Sequence, residues 1–117
     1  MCLIAFAVGQ NPRFPLVVAA NRDEFFRRPT AGMDWWQDSR GQKVLAGRDL
    51  ESGGTWLAIS PDGQVAAVTN VREGSTESGR HSRGELPLLA LARPREELQH
   101  QLNSEPGRYA GFNLVSL

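Results

Sequence analysis

Apolar positions fall along the chain in short runs separated by sharply polar or turn-forming stretches, and the spacing of those runs predicts strands more often than helices. "LIAFAV" (3–8) and "PLVVAA" (15–20) flank "GQNPRF", whose Gly9, Asn11 and Pro12 are turn residues, so the pattern predicts a hairpin. "NRDEFFRRPT" then turns abruptly charged, and "AGMDWWQDSRGQ" reads as a surface connection carrying two tryptophans. "KVLAGRD" predicts a third strand. "TWLAIS" and "QVAAVTNV" alternate around "PDG", a turn with a mechanism: Pro61 fixes φ, Asp62 offers a local side-chain bond and Gly63 accepts positive φ.

From 72 to 83 the chain is polar and aperiodic, "REGSTESGRHSR", a length of loop typical of lids. Ser82 and Glu85 have capping-box spacing ahead of "LPLLALA", and Pro87 suits the first turn of a helix, which predicts one near 85–93. "REELQHQLNSEPG" predicts a second helix ending before Pro106 and Gly107, its amphipathic character fitting an outer layer rather than a membrane anchor. "GFNLVSL" is an apolar strand that runs to the last residue. A strand of that composition needs neighbours on both sides, so residues 1–117 are expected to be the N-terminal part of a single larger domain. The fold class is α+β with mostly antiparallel strands.

Composition narrows the function classes. The 117 residues carry 13 basic and 13 acidic side chains, so no long-range field draws in nucleic acid or an anionic membrane surface. "LIAFAV" is too short to span a bilayer and no basic segment precedes it, which argues against a membrane span and a signal peptide. The single cysteine excludes an internal disulfide and fits a reducing or a redox-indifferent compartment, with a cytoplasmic location as the expectation. The two histidines, His81 and His100, stand far apart with no second cysteine, so no metal-ligand set is expected.

That one cysteine, Cys2, directly follows the initiator methionine. Methionine removal before a small residue would leave a free N-terminal cysteine with its α-amine beside its own thiol. The reference pKa values, roughly 8 and roughly 8.5, are close enough for the amine to act as general base toward the thiol. A small buried hydrophobe in an apolar strand is the simpler role for a cysteine. Directly after the second predicted strand come Asn21, Arg22, Asp23 and Glu24. Strand alternation puts Asn21 and Asp23 on one face and Arg22 and Glu24 on the other. A carboxylate aimed at the Cys2 amine would hold it and tune its basicity, while an arginine on the opposite face would anchor the turn; a solvated turn with local ion pairs is the alternative.

"MCLI", "PLVVAANRDEFFRRPTA", "LAGRDLESGGTWLAIS", "AAVTNVRE", "SRGEL" and "YAGFNLV" together resemble the NRDE family, also called the transport and Golgi organisation protein 2 family, from the first residue to the last. The resemblance implies a protein about twice this length. It also implies an N-terminal nucleophile (Ntn) hydrolase-like αββα sandwich, of which this chain is a part. The nearest comparison within that fold is the cysteine group that cleaves amides between an acyl group and an amine. Carried over residue by residue, Cys2 matches the nucleophile, Asp23 the carboxylate that orients its amine, Asn21 an asparagine of the same strand end, and Asn70 the asparagine that donates to the oxyanion. Those hydrolases have an arginine three positions before the aspartate, where this chain has Ala20; its own arginine is Arg22.

Two functional expectations follow from the resemblance. One is hydrolysis of a small-molecule, non-peptide amide with no cofactor. The other is non-catalytic binding or trafficking of haem or an acyl lipid such as acyl-CoA, with Cys2 lining the pocket and His81 a candidate axial ligand if a lid closes over it. Arg22, Glu24, Arg48 and Trp56 are the remaining candidate substrate-binding residues. Gly53 and Gly54 lack the spacing of a phosphate-binding loop and predict a tight turn that lets Trp56 into the core, with Arg48 and Asp49 as candidates for a pocket rim. Trp35 and Trp36 are candidates for a ligand mouth.

Overall fold

A computed structural model describes residues 3–71 and 81–117. It is α+β, with seven strands in two antiparallel sheets and two short helices. The first apolar pair forms its hairpin: β1 (Ile4–Asn11) pairs with β2 (Phe14–Ala20), Ile4 opposite Ala20 and Val8 opposite Leu16. Both strands extend further into "GQNPRF" than the apolar runs do. An irregularity in register between Val8 and Asn11 absorbs the extra residues, and the Arg13 amide donates to the Asn11 side chain at 2.9 Å to close a tight turn.

The second sheet has the order β3–β4–β5–β6–β7, formed by Thr30–Gln37, Lys43–Asp49, Leu57–Ile59, Val65–Asn70 and Phe112–Ser116. The "PDG" turn does what its residues dictate. Gly63 adopts φ +88°, its amide donates to Ser60 O at 3.0 Å, and the Ser60 hydroxyl donates to the Asp62 carboxylate.

"AGMDWWQ" lies in a strand, β3, rather than in a connection. It is the edge of the sheet and mostly exposed, so it lacks the apolar alternation that marks a half-buried strand. Its ladder comes from the buried β4, with Trp35 opposite Leu45 and Trp36 opposite Val44.

Ser82 caps a single 3-10 turn, Arg83–Glu85, accepting from the Gly84 amide at 3.2 Å, and α1 follows over Leu86–Ala92 with Pro87 in its first turn. The capping box is only half formed, because the Glu85 carboxylate reaches Tyr109 instead of the Ser82 amide. The second predicted helix is α2, Arg95–Ser104. Leu88 of α1 packs against Val44, Ala46 and Ala58, with Trp36 and Leu91 at the margin, and that cluster defines the helix-covered face of the sheet. No helix among the described residues is long and apolar enough to cross a membrane. The polar stretch read as a lid lies outside the described residues up to residue 80, and its last residues begin the capped turn.

Candidate functional site

The site grows from the end of β2. Cys2 lies outside the described residues, but its neighbour Leu3 is fixed by Asn21 in both directions: the Leu3 amide donates to Asn21 Oδ1 at 2.7 Å, and the Asn21 amide donates to Leu3 O at 3.1 Å. Beyond Asn21 the chain leaves the sheet, yet the alternation of an extended strand persists. Asn21 and Asp23 are exposed, whereas Arg22 and Glu24 are half-buried.

Of the inward pair, Arg22 meets Asp49, expected at a pocket rim, and Glu24 is linked to it through Arg28. Asp49, at the end of β4, is only 8% exposed. Its Oδ2 accepts from Arg28 Nε at 2.7 Å and from Arg22 Nη2 at 3.4 Å. Its Oδ1 accepts from the amides of Glu51 and Ser52 at 2.9 and 3.2 Å. Glu24 and Glu51 complete the network, at 3.9 and 3.4 Å from the Arg28 guanidinium. Burial works to raise the Asp49 pKa, but the Ser52 and Glu51 amides and Arg28 outweigh it and hold the carboxyl below its ordinary value. For Arg28, burial works downward and the bond to Asp49, with the charges of Asp49, Glu51 and Glu24, pushes the guanidinium upward. Both groups are therefore charged at neutral pH. A shallow cleft of about 440 Å³ opens beside them, lined by Phe25, Arg27, Arg28, Pro29 and Glu51.

Trp56 joins the network through its ring. The Arg22 guanidinium stacks on its ring at 4.8 Å from the centroid, a cation–π contact. The space for that ring is made by Gly47, where an added Cβ would lie 2.7 Å from two indole carbons, and not by the Gly53–Gly54 pair. Gly53 serves the tight turn, at φ +82°, with its amide donating to Asp49 O at 2.7 Å. Gly54 lies directly against the backbone of Gly84.

Arg48 does not join this network. Strand alternation separates it from Asp49: it follows Val44 and Ala46 onto the helix-covered face, where its guanidinium lies 4.4 Å over the Trp36 ring and its Nε donates to Gly53 O at 3.4 Å. Asn70 ends β6 opposite Phe112, in the five-stranded sheet, whereas Asn21 and Asp23 follow the hairpin. His81 is held elsewhere. Its Nδ1 is 3.6 Å from Glu85, its ring leans on Tyr109, and its amide donates to Arg108 O. Burial and the bond to Glu85 push the Tyr109 hydroxyl up to about 12. Among the described residues, no three His, Cys, Asp or Glu side chains form a metal-ligand set.

The sequence matches the Transport and Golgi organisation 2 family over residues 1–117. The chain belongs to that family. Transport and Golgi organisation 2 relatives of similar sequence include the homologue from Bos taurus, 37% identical over 99% of this chain and 45% of its own length. The homologue from Homo sapiens is 36% identical over 99% of this chain and 45% of its own length. The Drosophila melanogaster protein is 33% identical over all of this chain and 46% of its own length. The chain thus spans a little under half of each of these Transport and Golgi organisation 2 proteins.

Sequence reasoning placed Asp49 only at a pocket rim beside Arg48, and it missed Arg28 and the turn of the carboxylate onto its own backbone. The available signal was "DLESGG", an aspartate followed by turn residues and paired glycines, which marks a carboxylate turned back onto its own backbone.

Proposed function

We propose that this protein is an N-terminal cysteine amidohydrolase acting on a small, non-peptide amide. The observation that carries the reading is the two-way bonding of Asn21 to Leu3, which ties the segment bearing Asp23 to the residue following Cys2. In the proposed reaction the α-amine of Cys2 takes the thiol proton and the sulfur attacks the amide carbonyl carbon. Asn70 donates to the resulting oxyanion, a contribution of about 3–4 kcal/mol to the barrier in other enzymes. The protonated amine then returns its proton to the leaving nitrogen as the C–N bond breaks. Water, deprotonated by the same amine, hydrolyses the thioester and restores the thiol. Asp23 holds the amine throughout.

Carriage of an apolar ligand such as haem or an acyl lipid is the second reading. It is favoured by the exposed apolar side chains of the β1–β2 hairpin, Phe6, Val8, Phe14 and Val17. A panel of N-acyl amines incubated with the intact protein and with Cys2→Ala separates the two. The hydrolase reading expects amine release that the substitution abolishes. Absence of turnover, with haem or acyl-CoA bound equally by both proteins, contradicts it.

A further inference from the structure

The segment 21–29 carries Asp23, which the amidohydrolase reading assigns to the amine, yet it belongs to no strand or helix, so contacts outside a ladder fix it in place. Two arginines do so, one near each end. Arg22 and Arg28 both donate to the same oxygen, Asp49 Oδ2, while the Pro29 carbonyl accepts from the Leu50 amide at 3.0 Å. Within the segment the Arg28 amide closes a turn onto Phe25 O at 3.0 Å. Because neighbouring residues of an extended chain face opposite ways, drawing Arg22 and Glu24 inward turns Asn21 and Asp23 outward, toward the side on which Asn21 meets Leu3.

We infer that Asp49 is the positioning residue for the proposed N-terminal nucleophile: through Arg22 and Arg28 it sets the register of the 21–28 segment, and with it the placement of Asp23, the residue that the amidohydrolase reading assigns to the Cys2 amine. The inference rests on the amidohydrolase reading. Asp49 divides its work between its two oxygens. Oδ1 accepts the Glu51 and Ser52 amides and holds the β4–β5 corner, while Oδ2 alone holds the arginines. An asparagine at this position keeps an acceptor for the corner and replaces the arginine-binding oxygen with an amide nitrogen, itself a donor. Asp49→Asn therefore uncouples the segment while keeping the fold.

The test compares two reactions of Cys2 in the intact protein, followed by mass spectrometry between pH 5 and 9. Acylation by a β-lactone needs the positioned amine, whereas alkylation by iodoacetamide needs only an accessible thiolate. For Asp49→Asn the expected result is a lactone acylation rate at least tenfold lower at pH 7 and a shifted pH midpoint, with alkylation within twofold of the parent. Arg28→Gln, which removes the shorter of the two arginine bonds, should lower acylation in the same selective way and stands in should Asp49→Asn fail to fold. Asp34→Asn, which removes an exposed carboxylate on β3, should match the parent. Rapid acylation in the parent with an unchanged rate in folded Asp49→Asn and Arg28→Gln overturns the positioning role alone. A parent whose Cys2 reacts with the lactone no faster than free cysteine overturns the amidohydrolase reading, and the positioning role with it.

Discussion

Replacing Gly54 with alanine probes the contact that locks the Asp49 corner to the start of α1. A Cβ at this position would lie 2.5, 2.6 and 2.8 Å from the carbonyl carbon, oxygen and Cα of Gly84, all backbone atoms. Carbon atoms pack favourably only beyond about 3.5 Å, so the two backbones must separate by about 1 Å. That movement breaks the bond from the Thr55 amide to Gly84 O, 3.0 Å long, and drags on Leu86 and Pro87, which are fully buried. Overpacking of this kind costs about 1–3 kcal/mol, and loss of the hydrogen bond adds about 0.5–1.5 kcal/mol. The expected total, about 2–4 kcal/mol, lowers the melting temperature by roughly 8–16 °C for a chain of this length. Thermal and urea unfolding followed by circular dichroism measure it directly. Gly32→Ala is the control, since a Cβ there meets nothing within 4 Å. The reasoning is refuted if Gly54→Ala melts within 2 °C of the parent, or if Gly32→Ala is destabilised as much.

Other changes have equally definite outcomes. Asp49→Ala leaves the Arg28 and Arg22 guanidiniums and two corner amides without their shared acceptor and should cost about 3 kcal/mol in urea unfolding. Because the Asp49 pKa is depressed in the fold, its contribution is complete above the ordinary carboxyl value of about 4 and is lost as pH falls through the lower folded value. Asp49→Asn should therefore flatten the stability profile below about pH 4. The opposite sign holds for Tyr109, raised in the fold to about 12: its contribution is complete below about pH 10 and lost between about 10 and 12. Tyr109→Phe should remove that alkaline slope from unfolding curves. Gly47→Ala should displace the Trp56 indole and its Arg22 partner, seen as an altered near-UV circular dichroism spectrum with little change in the far-UV spectrum.

Legibility followed the range of the physics. The "PDG" hairpin could be read because its chemistry is local: one proline, one aspartate and one glycine fix the turn, and the flanking apolar runs supply the strands. The β1–β2 hairpin and both helices were readable on the same grounds. Strand β3 was not, because an exposed edge carries little apolar pattern and owes its conformation to a ladder with β4. At the site, alternation correctly separated Asn21 and Asp23 from Arg22 and Glu24. Applied to "GRD", the same rule separates Arg48 from Asp49, and the structure sends Arg48 to the tryptophan on the helix-covered face and Asp49 to the arginines. The link from Asp49 to Arg22 and Arg28 spans 27 and 21 residues and leaves no periodic trace in the sequence.

The central claim, that Cys2 serves as an N-terminal nucleophile through its own amine, is tested most directly by the mass of the mature N-terminal peptide from the intact protein. The account predicts a chain that begins at Cys2 with a free, unmodified α-amine. A chain that retains Met1, or whose Cys2 amine is blocked, contradicts it.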